Sequence, residues 1–106
     1  MKILKIAPGA APEIMDIPDD LSAMQEIVVG LIQALYPFQD SVAVICNDEA
    51  KLWGLLPNRA LRDPNTGEIY DIICGTMFLC GAPSGSDHFT GLTDEQRVLQ
   101  ETGMFS

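Results

Sequence analysis

The chain has 106 residues and a net charge of −9 at neutral pH, with 15 acidic side chains against 6 basic ones. Phosphate backbones and anionic membrane surfaces are bound through cationic patches, so this charge argues against direct nucleic-acid binding and against membrane association. The length suits a single domain over residues 1–106, with residues 103–106 expected to fray.

Two short strands are predicted at the start of the chain. Residues 2–7 form an apolar run that Pro8-Gly9 stops, and residues 13–17 alternate between apolar and polar side chains. Short runs and a period of two favour strands over a helix. The turn residues between the two runs predict that they pair as a hairpin.

A long amphipathic helix is predicted next, ending near Tyr36. Ser22 with Gln25 three residues later fits a capping box, which is typical of a helix start. Pro37 disfavours helical geometry just before it, and Gly30 inside the helix is interpreted as a close approach to the sheet. The apolar residues recur on one helical face, namely at Met24, Ile27, Val28, Leu31, Ile32 and Leu35.

The middle of the chain is predicted to form two strand pairs. Residues 42–46 make a short apolar strand, and residues 51–53 return from it after a turn. Residues 59–62 and 68–73 flank a turn sequence with Pro early and Gly late, so they are interpreted as the arms of a hairpin.

Residues 72–80 form the most hydrophobic run and are predicted to be the central strand. Gly75-Thr76 interrupts this run, which indicates a bulge or a close backbone approach. Thr93 with Gln96 forms a second capping box and predicts a short helix to about residue 102. Since most connections are too short for crossover helices, the sheet should be antiparallel. The predicted fold class is α+β: a mostly antiparallel sheet with one long amphipathic helix packed on it and a short C-terminal helix.

Cysteine and histidine usage indicates no metal site, cofactor or catalytic centre. Cys46, Cys74 and Cys80 lie in apolar runs without a Cys-x-x-Cys pair, and His88 is the only histidine. No Gly-rich phosphate loop follows a strand, so the protein is predicted not to be an enzyme. Without a signal peptide or a membrane span it is expected in the cytoplasm, with its cysteines as small buried hydrophobes.

The candidate ligand site centres on Asn58, Arg59 and Arg62. Two of the three arginines of this acidic chain lie there, three residues apart. A guanidinium offers a planar fork of donors that suits a carboxylate or a phosphate, and the Asn can add a further hydrogen bond. The alternative interpretation is that both arginines pair with the abundant carboxylates of the protein.

Further candidate ligand contacts are Tyr36, Asp71 and Thr76. Tyr36, like Phe38 and Trp53, could stack on a base, whereas the alternatives place Tyr36 and Phe38 in the core and Trp53 in a satellite cluster. Asp71 and Thr76 are polar residues in an apolar run, so they either point outward or hold an arginine in place.

Several segments together resemble a small uncharacterised domain family of phages and conjugative elements in Gram-positive bacteria. The resemblance covers roughly residues 1–100. It rests on the opening residues 1–9, on residues 21–30 and 36–38, and on VICNDE at 44–49, LPNRAL at 56–61 and GEIYDIIxGTxF at 67–78. The family has no established activity, so the resemblance implies only a context, an accessory gene of a mobile element, and no functional residue.

Three functional hypotheses result. The first is a non-enzymatic counter-defence protein that sequesters a small anionic, nucleotide-like ligand and works as a homo-oligomer in the host cytoplasm. The alternative is an acidic protein-interaction or DNA-mimic module that binds a basic host protein, and a third is a structural domain without a ligand. Added salt should weaken a protein partner held by dispersed carboxylates much more than an enclosed ligand.

Overall fold

The computed structural model describes residues 1–36, 41–63, 65–83, 85 and 88–93. This part of the chain forms seven strands and one helix. In chain order they are β1 (Lys2–Ile6), β2 (Glu13–Asp16), α1 (Leu21–Val28), β3 (Ile32–Leu35), β4 (Val42–Asn47), β5 (Pro57–Arg62), β6 (Ile69–Cys74) and β7 (Met77–Gly81).

The strands form two antiparallel sheets. Five of them make one sheet in the order β2-β1-β7-β4-β3, while β5 and β6 pair with each other as a two-stranded ribbon. The whole of β7 is buried, and it lies at the centre of the larger sheet between β1 and β4. The predicted antiparallel pairing and the central position of this strand are therefore confirmed.

Both faces of the larger sheet are covered. On one face Leu4, Val44 and Leu79 belong to a buried cluster that includes Leu61 and Ile73 of the ribbon. Strand residues of opposite parity point to the other face, where a second cluster contains Met24 and Val28 of α1. The sheet thus lies between the ribbon and the helix, which explains why every residue of β4 and β7 is buried.

Several strand predictions are confirmed, but the long single strand over residues 72–80 is wrong. Gly75 has a φ of +79°, and a Cβ atom there would lie 2.8 Å from Cδ1 of Leu55. The chain therefore turns at the glycine, so that β6 stays in the ribbon and β7 enters the larger sheet. The return strand predicted at residues 51–53 is also wrong, because these residues form a turn.

The predicted long helix is wrong, and with it the α+β class. The helix α1 ends at Val28, and residues 32–35 form an edge strand paired with β4. The N-cap is Asp20, whose carboxylate accepts the N–H of Ala23 at 2.7 Å, rather than Ser22. The described chain is mostly β, with one short helix. The predicted C-terminal helix extends over residues 94–102, which lie outside the described residues.

Asn47 explains why the helix ends where it does. Its side-chain amide is buried and donates hydrogen bonds to the carbonyls of Val28 and Val29, both at 3.1 Å. Its Oδ1 accepts the N–H of Glu49 at 2.7 Å. A Cβ atom at residue 30 would lie 2.7 Å from Nδ2 of Asn47, so only Gly30 fits this contact without displacement. The close approach predicted for Gly30 exists, but it follows the helix instead of lying within it.

Candidate functional site

Asn58 lies at a bulge of β5 and links three parts of the fold. Pro57 and Arg59 have successive partners on β6, which leaves Asn58 without one. Its side-chain amide donates to the carbonyls of Ile6 at 2.7 Å and Gly75 at 2.8 Å. Both amide hydrogens thus connect the ribbon to the end of β1 and to the turn before β7.

Arg59 bonds to oxygen atoms of the protein itself. Its Nη1 donates to the carbonyl and to Oδ1 of Asn58, at 3.1 and 3.0 Å, and its Nη2 donates to the carbonyl of Ala10 at 3.2 Å. The guanidinium therefore supports the turn between β1 and β2. Two of the candidate ligand residues, Asn58 and Arg59, are brought into contact.

Arg62 lies apart from this pair. It is exposed, and its Nη1 donates to the carbonyl of Gly67 in the turn between β5 and β6 at 3.0 Å. Side chains three residues apart on a strand point to opposite faces. Arg59 and Arg62 therefore do not share one face of β5, and their joint contact with one anion stays a prediction.

The other candidate contacts are dispersed. Tyr36 directly follows β3 and is 63% exposed, not in the core, while Phe38 lies outside the described residues. Thr76 is half-buried between β6 and β7. Asp71 holds a lysine instead of an arginine, because its Oδ1 lies 2.7 Å from Nζ of Lys51.

The ion pair of Lys51 and Asp71 lies in a cleft of about 230 Å³ between the ribbon and β4, which we call the polar cleft. The hydrogen bond from Lys51 lowers the pKa of Asp71, and the same bond raises the pKa of Lys51. Cys46 also lines the cleft, and burial raises the pKa of its thiol to about 11. This thiol is neutral at physiological pH, so it is a poor nucleophile.

A second cleft, of about 310 Å³, is lined by exposed apolar side chains. Its lining includes Val29, Leu31, Trp53 and Glu49, and we call it the apolar cleft. The side chains of Val29, Trp53 and Leu31 are 77%, 71% and 57% exposed. The satellite cluster predicted for Trp53 is therefore wrong.

The local backbone explains how the apolar cleft forms. Val29 follows the helix in a left-handed conformation, with φ 60° and ψ 49°. Trp53 lies in the turn after β4, where its N–H donates to the carbonyl of Glu49 at 3.0 Å. Asn47 bonds to both segments, to the carbonyl of Val29 and to the N–H of Glu49, so it positions both sides of the cleft.

Sequence reasoning missed this cleft because it continued the helix through residues 29–35. The available signal was Gly30, a poor helix residue placed beside the β-branched Val29.

A family model described as Domain of unknown function (DUF3846) matches residues 1–106. The chain belongs to the DUF3846 family. No curated protein and no solved structure matches it significantly. The part of the resemblance that concerned an uncharacterised domain family is thus confirmed.

The described residues of this DUF3846 chain contain neither a cluster of metal ligands nor a membrane-spanning helix. Within its described residues, no group of three or more His, Cys, Asp or Glu side chains could hold a metal ion. No helix in the described residues is long and apolar enough to cross a membrane.

We expect Asn58→Ala to destabilise this DUF3846 protein by about 1–3 kcal/mol, because it leaves two half-buried carbonyls without their donor. Urea unfolding measures the change. Asn65→Ala, at an exposed turn position, is the matched control and should leave the unfolding midpoint unchanged. Equal stability of the Asn58 and Asn65 variants would contradict the structural role of Asn58.

The ion pair of Asp71 predicts a pH-dependent difference between the wild type and Asp71→Asn. A lowered carboxyl pKa stabilises the folded state above the ordinary value of 3.8, and this stabilisation is lost as the pH falls through the folded pKa. The wild type should therefore unfold at higher urea than the variant at neutral pH. The two midpoints should converge in acid, and a difference that persists below the folded pKa would contradict the assignment.

Proposed function

We propose that this protein is a non-enzymatic interaction module that binds a basic protein through the apolar cleft. The observation that carries the proposal is the exposure of Val29, Leu31 and Trp53 around one cleft. Large apolar side chains exposed together are typical of a site that another protein covers. Tryptophan in particular is enriched among the residues that dominate binding energy at interfaces.

The conformation of Val29 supports the same interpretation. A β-branched residue in the left-handed region is an outlier, since this conformation costs an L-residue roughly 1–2 kcal/mol. Helices that end in this way usually have glycine there. A strained residue that is also exposed points to selection for its side chain instead of for stability.

The charge distribution favours a basic partner. Glu49 lines the apolar cleft, and the exposed Asp48 precedes it in the chain. The whole chain carries a net charge of −9. A segment that combines apolar side chains with Lys or Arg would fill the cleft and pair with this acidic rim.

The biological context belongs to the same proposal. The resemblance to proteins of phages and conjugative elements suggests a partner in the host, and an acidic module with a counter-defence role would act on a basic target such as a nucleic-acid-binding protein. In that case the acidic surface would compete with nucleic acid for the target, as a DNA mimic does.

Sequestration of an anionic ligand, the first sequence-based hypothesis, has less support from the geometry. Arg59 and Arg62 point to opposite faces of β5, and Arg59 and Asn58 use donors within the fold. The proposed function therefore does not involve these residues.

We expect Val29→Gly to stabilise the fold by about 0.5–1 kcal/mol while weakening partner binding. Glycine relieves the strain of the left-handed conformation, and its own entropic cost offsets only part of this gain. The same substitution removes the exposed side chain. A random peptide library selected on the immobilised wild type supplies the probe, and fluorescence anisotropy then measures peptide affinity. The selected peptides should contain both apolar and basic residues, and added salt should weaken their binding to the protein.

Because Val29→Gly should raise the stability of the fold and lower the affinity for the peptide, a loss of binding in this variant cannot result from a loss of folding. Trp53→Ala should also lower the peptide affinity, by about tenfold or more. Ile69 is an exposed apolar residue on the ribbon, so Ile69→Ala is the control and should leave the peptide affinity unchanged. Peptides that bind the Val29 and Trp53 variants as tightly as the wild type would contradict the proposal. Stabilisation by a nucleotide that Arg59→Ala abolishes would favour ligand sequestration instead.

A further inference from the structure

The strand β3 forms one edge of the five-stranded sheet. It pairs with β4 on one side, and no strand of the described chain lies on its other side. An unpaired strand edge presents backbone donors and acceptors to which another strand can bind.

The hydrogen-bond pattern identifies the outward-facing groups. The N–H of Asp48 donates to the carbonyl of Leu31 at 2.9 Å, which places a hydrogen-bonded pair at this position. Such pairs alternate along an antiparallel ladder, so Gln33 and Leu35 bond to β4. Ile32 and Ala34 therefore direct their N–H and C=O groups away from the sheet.

This edge lacks the protection that the opposite edge has. The outer strand β2 begins with Glu13 and ends with Asp16, and charged residues on an edge prevent pairing with another chain. In contrast, residues 27–39 contain no charged side chain, although the chain carries 15 acidic and 6 basic residues. The neutral segment includes the whole of β3.

We propose that β3 pairs antiparallel with β3 of a second copy, about a two-fold axis at Gln33. The backbone groups of Ile32 would then bond to those of Ala34 of the partner subunit. By symmetry, the backbone groups of Ala34 would bond to those of Ile32 of the partner subunit. This register uses the outward-facing groups of both strands and joins the two sheets into one. It goes beyond the proposed function and does not depend on it.

The side chains of this register are self-complementary, as a two-fold interface requires. Leu31 lies opposite Leu35 of the partner subunit, so a side chain that is exposed in the single chain gains an apolar neighbour. The two Gln33 carboxamides face each other, and a carboxamide can both donate to and accept from its own copy. Because the strand is neutral, two copies pair here without opposing like charges, despite the net charge of the whole chain.

Charged substitutions at the axis test the pairing. Gln33→Lys and Gln33→Glu each place two like charges opposite one another, so each should raise the dimer dissociation constant by about tenfold or more. Sedimentation equilibrium measures this constant, and the wild type should be a dimer. Gln33 is exposed, so both variants should keep the wild-type circular dichroism spectrum.

Mixing the two variants provides the decisive result, because opposite charges then meet at the axis. With one variant labelled with nitrogen-15, native mass spectrometry should show mainly the mixed dimer. Asn65→Lys and Asn65→Glu are the control pair and should both remain wild-type-like dimers. A monomeric wild type, variants that dimerise unchanged, or a mixture that stays monomeric would overturn the proposal.

Discussion

The carboxamide of Asn47 is the interaction on which the arrangement of this fold depends. From the end of β4 it bonds to the last carbonyls of α1 and to the turn that follows its own strand. A buried amide that lost these partners would leave polar groups unsatisfied, which is costly in a dry environment. The contact therefore holds the helix end, the start of β3 and the turn before Trp53 in one geometry, and Gly30 is the residue that allows the approach.

Both proposed surfaces follow from this constraint. Because the helix stops at Val28, Val29 takes a strained and exposed conformation, and Leu31, which the predicted helix placed on its buried face, is exposed as well. Because the chain then extends, residues 32–35 become the neutral edge of the larger sheet. The contacts of Asn47 thus form both a cleft suited to a basic partner and a strand edge suited to a second copy, and the two surfaces meet at Leu31.

Much of the strand framework could be predicted from sequence, but the helix could not be bounded. The apolar spacing of Leu31, Ile32 and Leu35 fits a helical face, but Ile32 and Leu35 also suit a strand that is covered on both faces, and they pack against opposite clusters. Pairing with β4 decides between the two, and that is a tertiary contact which no local pattern contains. The arginines show a different failure: their residue type suggested an anion site, yet their three-residue spacing on a predicted hairpin arm already placed them on opposite faces.

The most direct test of this account is an NMR measurement on residues 29–35 in the wild-type protein. Ala34 and Ile45 form a pair that is not hydrogen-bonded in the β3–β4 ladder, and the Cα atoms of such pairs lie about 4.5 Å apart. We therefore expect a strong nuclear Overhauser effect between their Hα protons, together with extended Cα chemical shifts for residues 32–35. Helical Cα shifts that continue from α1 through Leu35, without that cross-strand contact, would contradict the account.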